Sequence, residues 1–94
     1  MTIAEFQQLI RERYYPTDSA RGAPATFLWF MEECGELAAA LARRQRGDGS
    51  DENLAEEFAD VLAWLTTLAN ISGVDLTAAV REKYLDGGGP KGVK

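Results

Sequence analysis

An all-α chain is what this sequence predicts, on three observations. Apolar residues recur every three to four positions through three long stretches. Those stretches are bounded by residue types that start and stop helices. No strand-like run longer than a few residues interrupts them.

The first helix is expected over residues 3–14. Thr2 can cap it, and Glu5 completes a capping box that satisfies amide protons left free in the first turn. Ile3, Phe6, Leu9 and Ile10 then form one apolar face. Pro16 is expected to end the helix, and "PTDSARGAPA" reads as a connector. A second helix should start near Pro24 or Ala25, run through "TFLWFMEECGELAAALARRQ" and stop before Gly47. "RGDGS" reads as a tight turn, after which Ser50 or Asp51 caps a third helix over about residues 52–72, with Gly73 as its stop. Asp75 caps a fourth, "LTAAVREKYLD". The remaining "GGGPKGVK" is too rich in glycine to hold regular structure alone. The expected organisation is one helical domain, residues 1–86, and a mobile tail, residues 87–94.

Composition narrows the function. The 94 residues suffice for one domain, and a chain this short often completes its core by oligomerising. Fifteen acids against ten bases give a net charge of -5, which argues against binding a nucleic acid polymer through a basic surface. Cys34 has no partner for an intrachain disulfide, and without histidine nothing is present to activate it as a nucleophile; it reads as a small buried filler. No apolar run reaches membrane-spanning length, and the amino terminus lacks the basic-then-apolar order of a secretory signal. A cytoplasmic protein is expected.

The acids carry the chemistry. A helix advances about 100° per residue, so each acid can be placed against the apolar stripe. With Glu33 at zero, Phe30, Leu37, Ala40 and Glu36 all fall within about 60°, whereas Glu32 points about 100° away, to the flank. With Glu57 at zero, Leu54, Val61, Trp64, Leu68, Ile71 and Asp60 gather around it, and Glu56 falls to the flank. Glu33, Glu36, Glu57 and Asp60 thus make two i, i+3 carboxylate pairs inside stripes meant for a neighbouring helix. The short turn allows antiparallel packing of the two helices. Buried like charges repel, and must be protonated, paired with a base or bound to a cation. Arg43, Arg44 and Arg46 suit the helix dipole better than a core pair. An oxygen-only donor set suits Mg²⁺ or Mn²⁺; lacking histidine, the chain fits neither a zinc site nor the usual di-iron pattern. A single such acid pair on a helix is ordinarily solvated surface; two pairs on adjacent helices, both within the stripe, favour a metal site.

Glu-Glu-x-x-Glu, twenty residues, then Glu-x-x-Asp, in the settings "EECGELAAAL" and "EEFADVLAWLTTLANISGVDL", resembles the MazG-like nucleotide pyrophosphohydrolases of the all-α NTP pyrophosphatase superfamily. The likeness runs from about Phe27 to Lys83. It implies Mg²⁺-dependent hydrolysis of a nucleoside triphosphate to the monophosphate and pyrophosphate. By motif, Glu33, Glu36, Glu57 and Asp60 would ligate metal, and Glu32 would orient water or hold a second ion. It also implies a homodimer or homotetramer built on four-helix bundles shared between subunits. Trp29 and Phe27 are candidates to stack on a base, though helical aromatics are more often core. Asn70 and Lys83 are candidate substrate contacts, each with an ordinary surface or helix-end role as its alternative, and Lys91 or Lys94 is a candidate to fold over phosphates, which nothing in the sequence demands. Two other readings stand beside this one: a phosphoribosyl-ATP pyrophosphohydrolase, and a helical dimerisation module binding metal or nucleotide without turnover.

Overall fold

The computed structural model describes residues 1–86. Four α-helices follow one another, α1 (Ile3–Arg21), α2 (Ala23–Arg46), α3 (Asp51–Ile71) and α4 (Leu76–Val80), and a π-helical segment, Arg81–Asp86, ends the described chain. No strand occurs among the described residues. The expected tail, with Lys91 and Lys94, lies outside them.

The capping chemistry is as the sequence reads. Thr2 and Glu5 exchange hydrogen bonds of 3.0 and 2.8 Å at the start of α1. The Ser50 hydroxyl accepts from the Asn53 amide at 3.0 Å, and the Asp75 carboxylate from the Ala78 amide at 3.0 Å. Gly47 takes the left-handed conformation, φ 84°, that closes α2. The turn returns the chain so that α3 packs along α2, the most extensive helix pairing in the molecule, and α1 lies across α3.

Two expectations are corrected. Pro16 does not end α1, which continues to Arg21. Proline costs an interior helix one hydrogen bond and a steric clash. The residues beyond it are held by tertiary contacts instead: Asp18 is buried, its carboxylate accepts from Thr67 of α3, and it is paired with Arg21. The expected connector is therefore the end of α1, a joint at Gly22, φ 82°, and the first three residues of α2. The fourth helix is α-helical only to Val80 and widens to π-helical turns from Arg81.

The core is small and unusually polar. Ile10, Ala40, Leu54 and Ala69 are its buried apolar residues, beside buried Asp18, Thr26, Thr66, Thr67 and Asn70. Meanwhile Phe27, Leu28, Met31, Phe58 and Leu62 are exposed, so the wide apolar stripes of α2 and α3 are not covered by the described residues.

Candidate metal centre

The pairing of α2 with α3 brings Glu33, Glu57 and Asp60 together: each offers a carboxylate oxygen, and the three oxygens lie within 4.8 Å of one another. Glu33 and Glu57 are half-buried, while Asp60 is exposed. Glu32 and Glu56 are exposed on the flanks of their helices. Glu36 is exposed and stands outside the three-oxygen group, although its charge still acts on Glu33.

Electrostatically the group is strained. Burial holds the Glu33 carboxyl above its ordinary pKa, and the charges of Asp60, Glu57, Glu32 and Glu36 push it further the same way. Among the described residues, the ion pairs lie elsewhere: Arg21 with Asp18, Arg44 with Asp51, Arg46 with Asp48. Protonation, which the raised Glu33 pKa favours, and cation binding are the reliefs that remain. Oxygens sharing one octahedral Mg²⁺ at about 2.1 Å stand about 3.0 Å apart when adjacent and about 4.2 Å when opposite, so side-chain rotations that draw the three closer would be needed to place them on one ion. The donor set, carboxylate oxygen throughout, fits a hard divalent cation.

Arg43 has a part that its position near the end of α2 did not disclose. Its guanidinium donates to Asn53 Oδ1 at 2.8 Å, and Asn53 Nδ2 donates to Glu57 Oε1 at 3.5 Å, the limit of a hydrogen bond. A base thus steadies Glu57 through an amide without neutralising it by direct contact. The close turn makes this contact, since a Cβ on Gly49 would lie 3.1 Å from the Arg43 Cβ.

The other proposed contacts are dispersed. Trp29 is exposed, with its ring stacked on Trp64 at 6.3 Å between centroids and 18° between planes. Phe27 is also exposed, its ring 6.3 Å from that of Phe30. Asn70 is buried and faces α1: its Oδ1 accepts from Gln7 Nε2 at 3.0 Å, and its Nδ2 donates to the Gln7 carbonyl at 3.3 Å. Lys83 is exposed on the π-helical segment, its ammonium 5.8 Å from the Tyr84 ring centroid. Cys34 is half-buried.

Beside the acids lies a cavity of about 380 Å³ between α1 and α3, bordered by Asp60 and by Tyr14, Thr17, Asp18, Arg21 and Trp64. The pattern of the sequence gave no sign of it, because Thr17, Asp18 and Arg21 fall in the stretch that composition marks as a connector. Arg21 spans Asp18 at 2.5 Å and Thr26 Oγ1 at 3.0 Å, with its guanidinium carbon 5.0 Å from the Trp64 ring centroid.

Residues 22–84 match the family model of the MazG nucleotide pyrophosphohydrolase domain. A dATP/dGTP diphosphohydrolase of Cyanophage S-2L is 37% identical over 82 residues, which take in 87% of this chain and 70% of that relative.

Proposed function

We propose, from the premise that this chain belongs to the MazG nucleotide pyrophosphohydrolase family, that it converts an NTP or dNTP to the monophosphate and pyrophosphate with Mg²⁺ or Mn²⁺ held by Glu33, Glu57 and Asp60. The observation that carries this reading is the convergence of three carboxylate oxygens within 4.8 Å with no base paired to them among the described residues. Glu36, one helical step from Glu33, is the fourth ligand in this reading and reaches the ion by a change of rotamer. The phage relative is named for dATP and dGTP, which supports purine triphosphates as substrates.

A divalent ion bound there supplies charge neutralisation for the polyphosphate and acidity for a nearby water. The chain's own groups do the rest. Glu32, on the flank, orients the attacking water and takes its proton. The water oxygen bonds to the α-phosphorus, the bond from that phosphorus to the α–β bridging oxygen breaks, and pyrophosphate leaves. Asn53, held by Arg43, fixes the rotamer of Glu57. Asn70, with both ends of its amide engaged by Gln7, holds α1 on α3 and so keeps the cavity beside Asp60 in shape. Trp29 offers an exposed ring to the substrate; Lys83 is assigned no contact.

The reading includes a cytoplasmic location, where nucleoside triphosphates are made and spent, and a homodimer or homotetramer. The exposed Phe27, Leu28, Met31, Phe58 and Leu62 support a second copy packing against α2 and α3. A stable folded monomer at micromolar concentration in light scattering would contradict that assembly.

Hydrolysis of NTPs and dNTPs in ¹⁸O-labelled water with Mg²⁺ tests the chemistry. The expected result is pyrophosphate release with the label in the monophosphate. Label in pyrophosphate, or stepwise release of orthophosphate, would contradict attack at the α-phosphorus.

A further inference from the structure

The cavity between α1 and α3 holds a carboxylate that the hydrolytic chemistry does not use. Asp18 is 5% exposed. Its Oδ1 accepts from Arg21 Nη2 at 2.5 Å and its Oδ2 from Thr67 Oγ1 at 3.1 Å. An ionised carboxylate has about four lone-pair positions, so one acceptor position on each oxygen remains. Arg21 is itself fixed, by Thr26 and by its place over Trp64, which leaves Asp18 little freedom to turn away. Tyr14 and Trp64 give the same cavity aromatic walls, and Asp60, one of the three grouped acids, stands at its border. At about 380 Å³ the space falls in the range of small-molecule sites.

The chemistry of a preset double acceptor decides the ligand. Guanine carries a ring N–H and an exocyclic amino group side by side on one edge, two donors that meet two carboxylate oxygens. Adenine and cytosine place a ring acceptor beside their amino group, and that acceptor would face the carboxylate in repulsion. Thymine and uracil offer one ring N–H between two carbonyls. Resting on the proposed pyrophosphohydrolase reading, we infer that this cavity receives the base of the nucleotide and that Asp18, braced by Arg21 and Thr67, selects guanine. Asp18 and Arg21 lie ahead of residues 22–84, where the family model matches, while Thr67 and Trp64 lie within them, so the selecting carboxylate itself stands outside the matched region. A site that hydrogen-bonds a substrate's donors rejects an analogue lacking them, because its own buried groups are then left unpaired.

Deoxyinosine triphosphate differs from dGTP only in lacking the exocyclic amino group, and so tests the pairing. With the full chain and Mg²⁺, kcat/KM for dGTP should exceed that for dITP, and also for dATP, by about tenfold or more. In Asp18→Asn the dGTP-to-dITP ratio should collapse toward one, chiefly through a higher KM for dGTP, while Mg²⁺ still raises the thermal midpoint. Equal use of dGTP and dITP by the unaltered chain, or an unchanged ratio in a folded Asp18→Asn, would overturn the inference. Should Asp18→Asn fail to fold by circular dichroism, the comparison of the three triphosphates with the unaltered chain decides. A second readout separates this inference from the pyrophosphohydrolase reading: quenching of tryptophan fluorescence in the metal-free chain by deoxyguanosine and by deoxyinosine. Tighter binding of deoxyguanosine without hydrolysis of any triphosphate would support the base site and overturn the reaction. Hydrolysis without base preference would do the reverse.

Discussion

Among the described residues, two places gather acids against a neighbouring helix, and they do so in opposite ways. Where α2 meets α3, Glu33, Glu57 and Asp60 bring like charges together without a base in direct contact. Where α1 crosses α3, Asp18 is joined to Arg21 and to Thr67, so its charge is compensated on the spot. The first arrangement costs the metal-free fold, and a bound cation would relieve it. The second costs little so long as both partners remain, and it fastens the end of α1 to the core. Removing a carboxylate should therefore have opposite effects on stability at the two places.

The largest effect is expected at the α1 joint. Asp18→Ala leaves a partly buried guanidinium without its partner and should lower stability by about 3–5 kcal/mol in chemical denaturation. A loss under about 1 kcal/mol, the scale of an exposed pair, would show that the joint is not held by this pair. The next effect is that of the ion. Saturating Mg²⁺ should raise the stability of the unaltered chain by about 2.7 kcal/mol at a hundredfold excess over its dissociation constant. An absent rise would remove the metal from the α2–α3 seam.

Smaller, and opposite in sign to the Asp18 effect, is the response to Glu33→Gln without metal. Folding raises the Glu33 pKa above 4.5, so the folded state holds that proton more tightly than the unfolded one. Its contribution is accordingly least unfavourable at low pH. Stability is lost as the pH climbs from about 4.5 through the raised value, and the deficit stays constant above it. Glu33→Gln should be more stable than the unaltered metal-free chain near neutrality, and the gap should close on acidification. Thermal melts in chelator across that range measure it; a mutant less stable at neutral pH would mean that the seam is not repulsive.

The same contrast explains what the sequence made legible. The acids of α2 and α3 could be sorted by angle because both helices are long, regular and joined by a recognisable turn. Glu33 and Glu57 are half-buried, and Glu32 and Glu56 exposed, as their angular positions require. Glu36 and Asp60 share the inward stripe by angle but are exposed, since a position about 60° from the seam's centre lies at its edge. The end of α1 was illegible because its helix runs against local preference. Pro16 and the small polar residues after it favour a connector, and contacts that no local pattern shows, with Thr67 some fifty residues away among them, hold the helix instead. Arg43 was hidden in a different way: its contribution passes through Asn53, a link that depends on the turn's geometry.

The central claim is that the seam between α2 and α3 is the catalytic metal centre and that helical angle, not motif membership, decides which acids serve it. Glu56 and Glu57 are adjacent and chemically identical, yet differ by about 100° around α3. Metal-dependent pyrophosphate release by Glu56→Gln and Glu57→Gln, each verified as folded, compares them directly. Glu57→Gln is expected to lose nearly all activity, about a hundredfold or more, while Glu56→Gln keeps most of it. Equal loss in the two folded variants, or substantial activity in Glu57→Gln, would contradict the assignment.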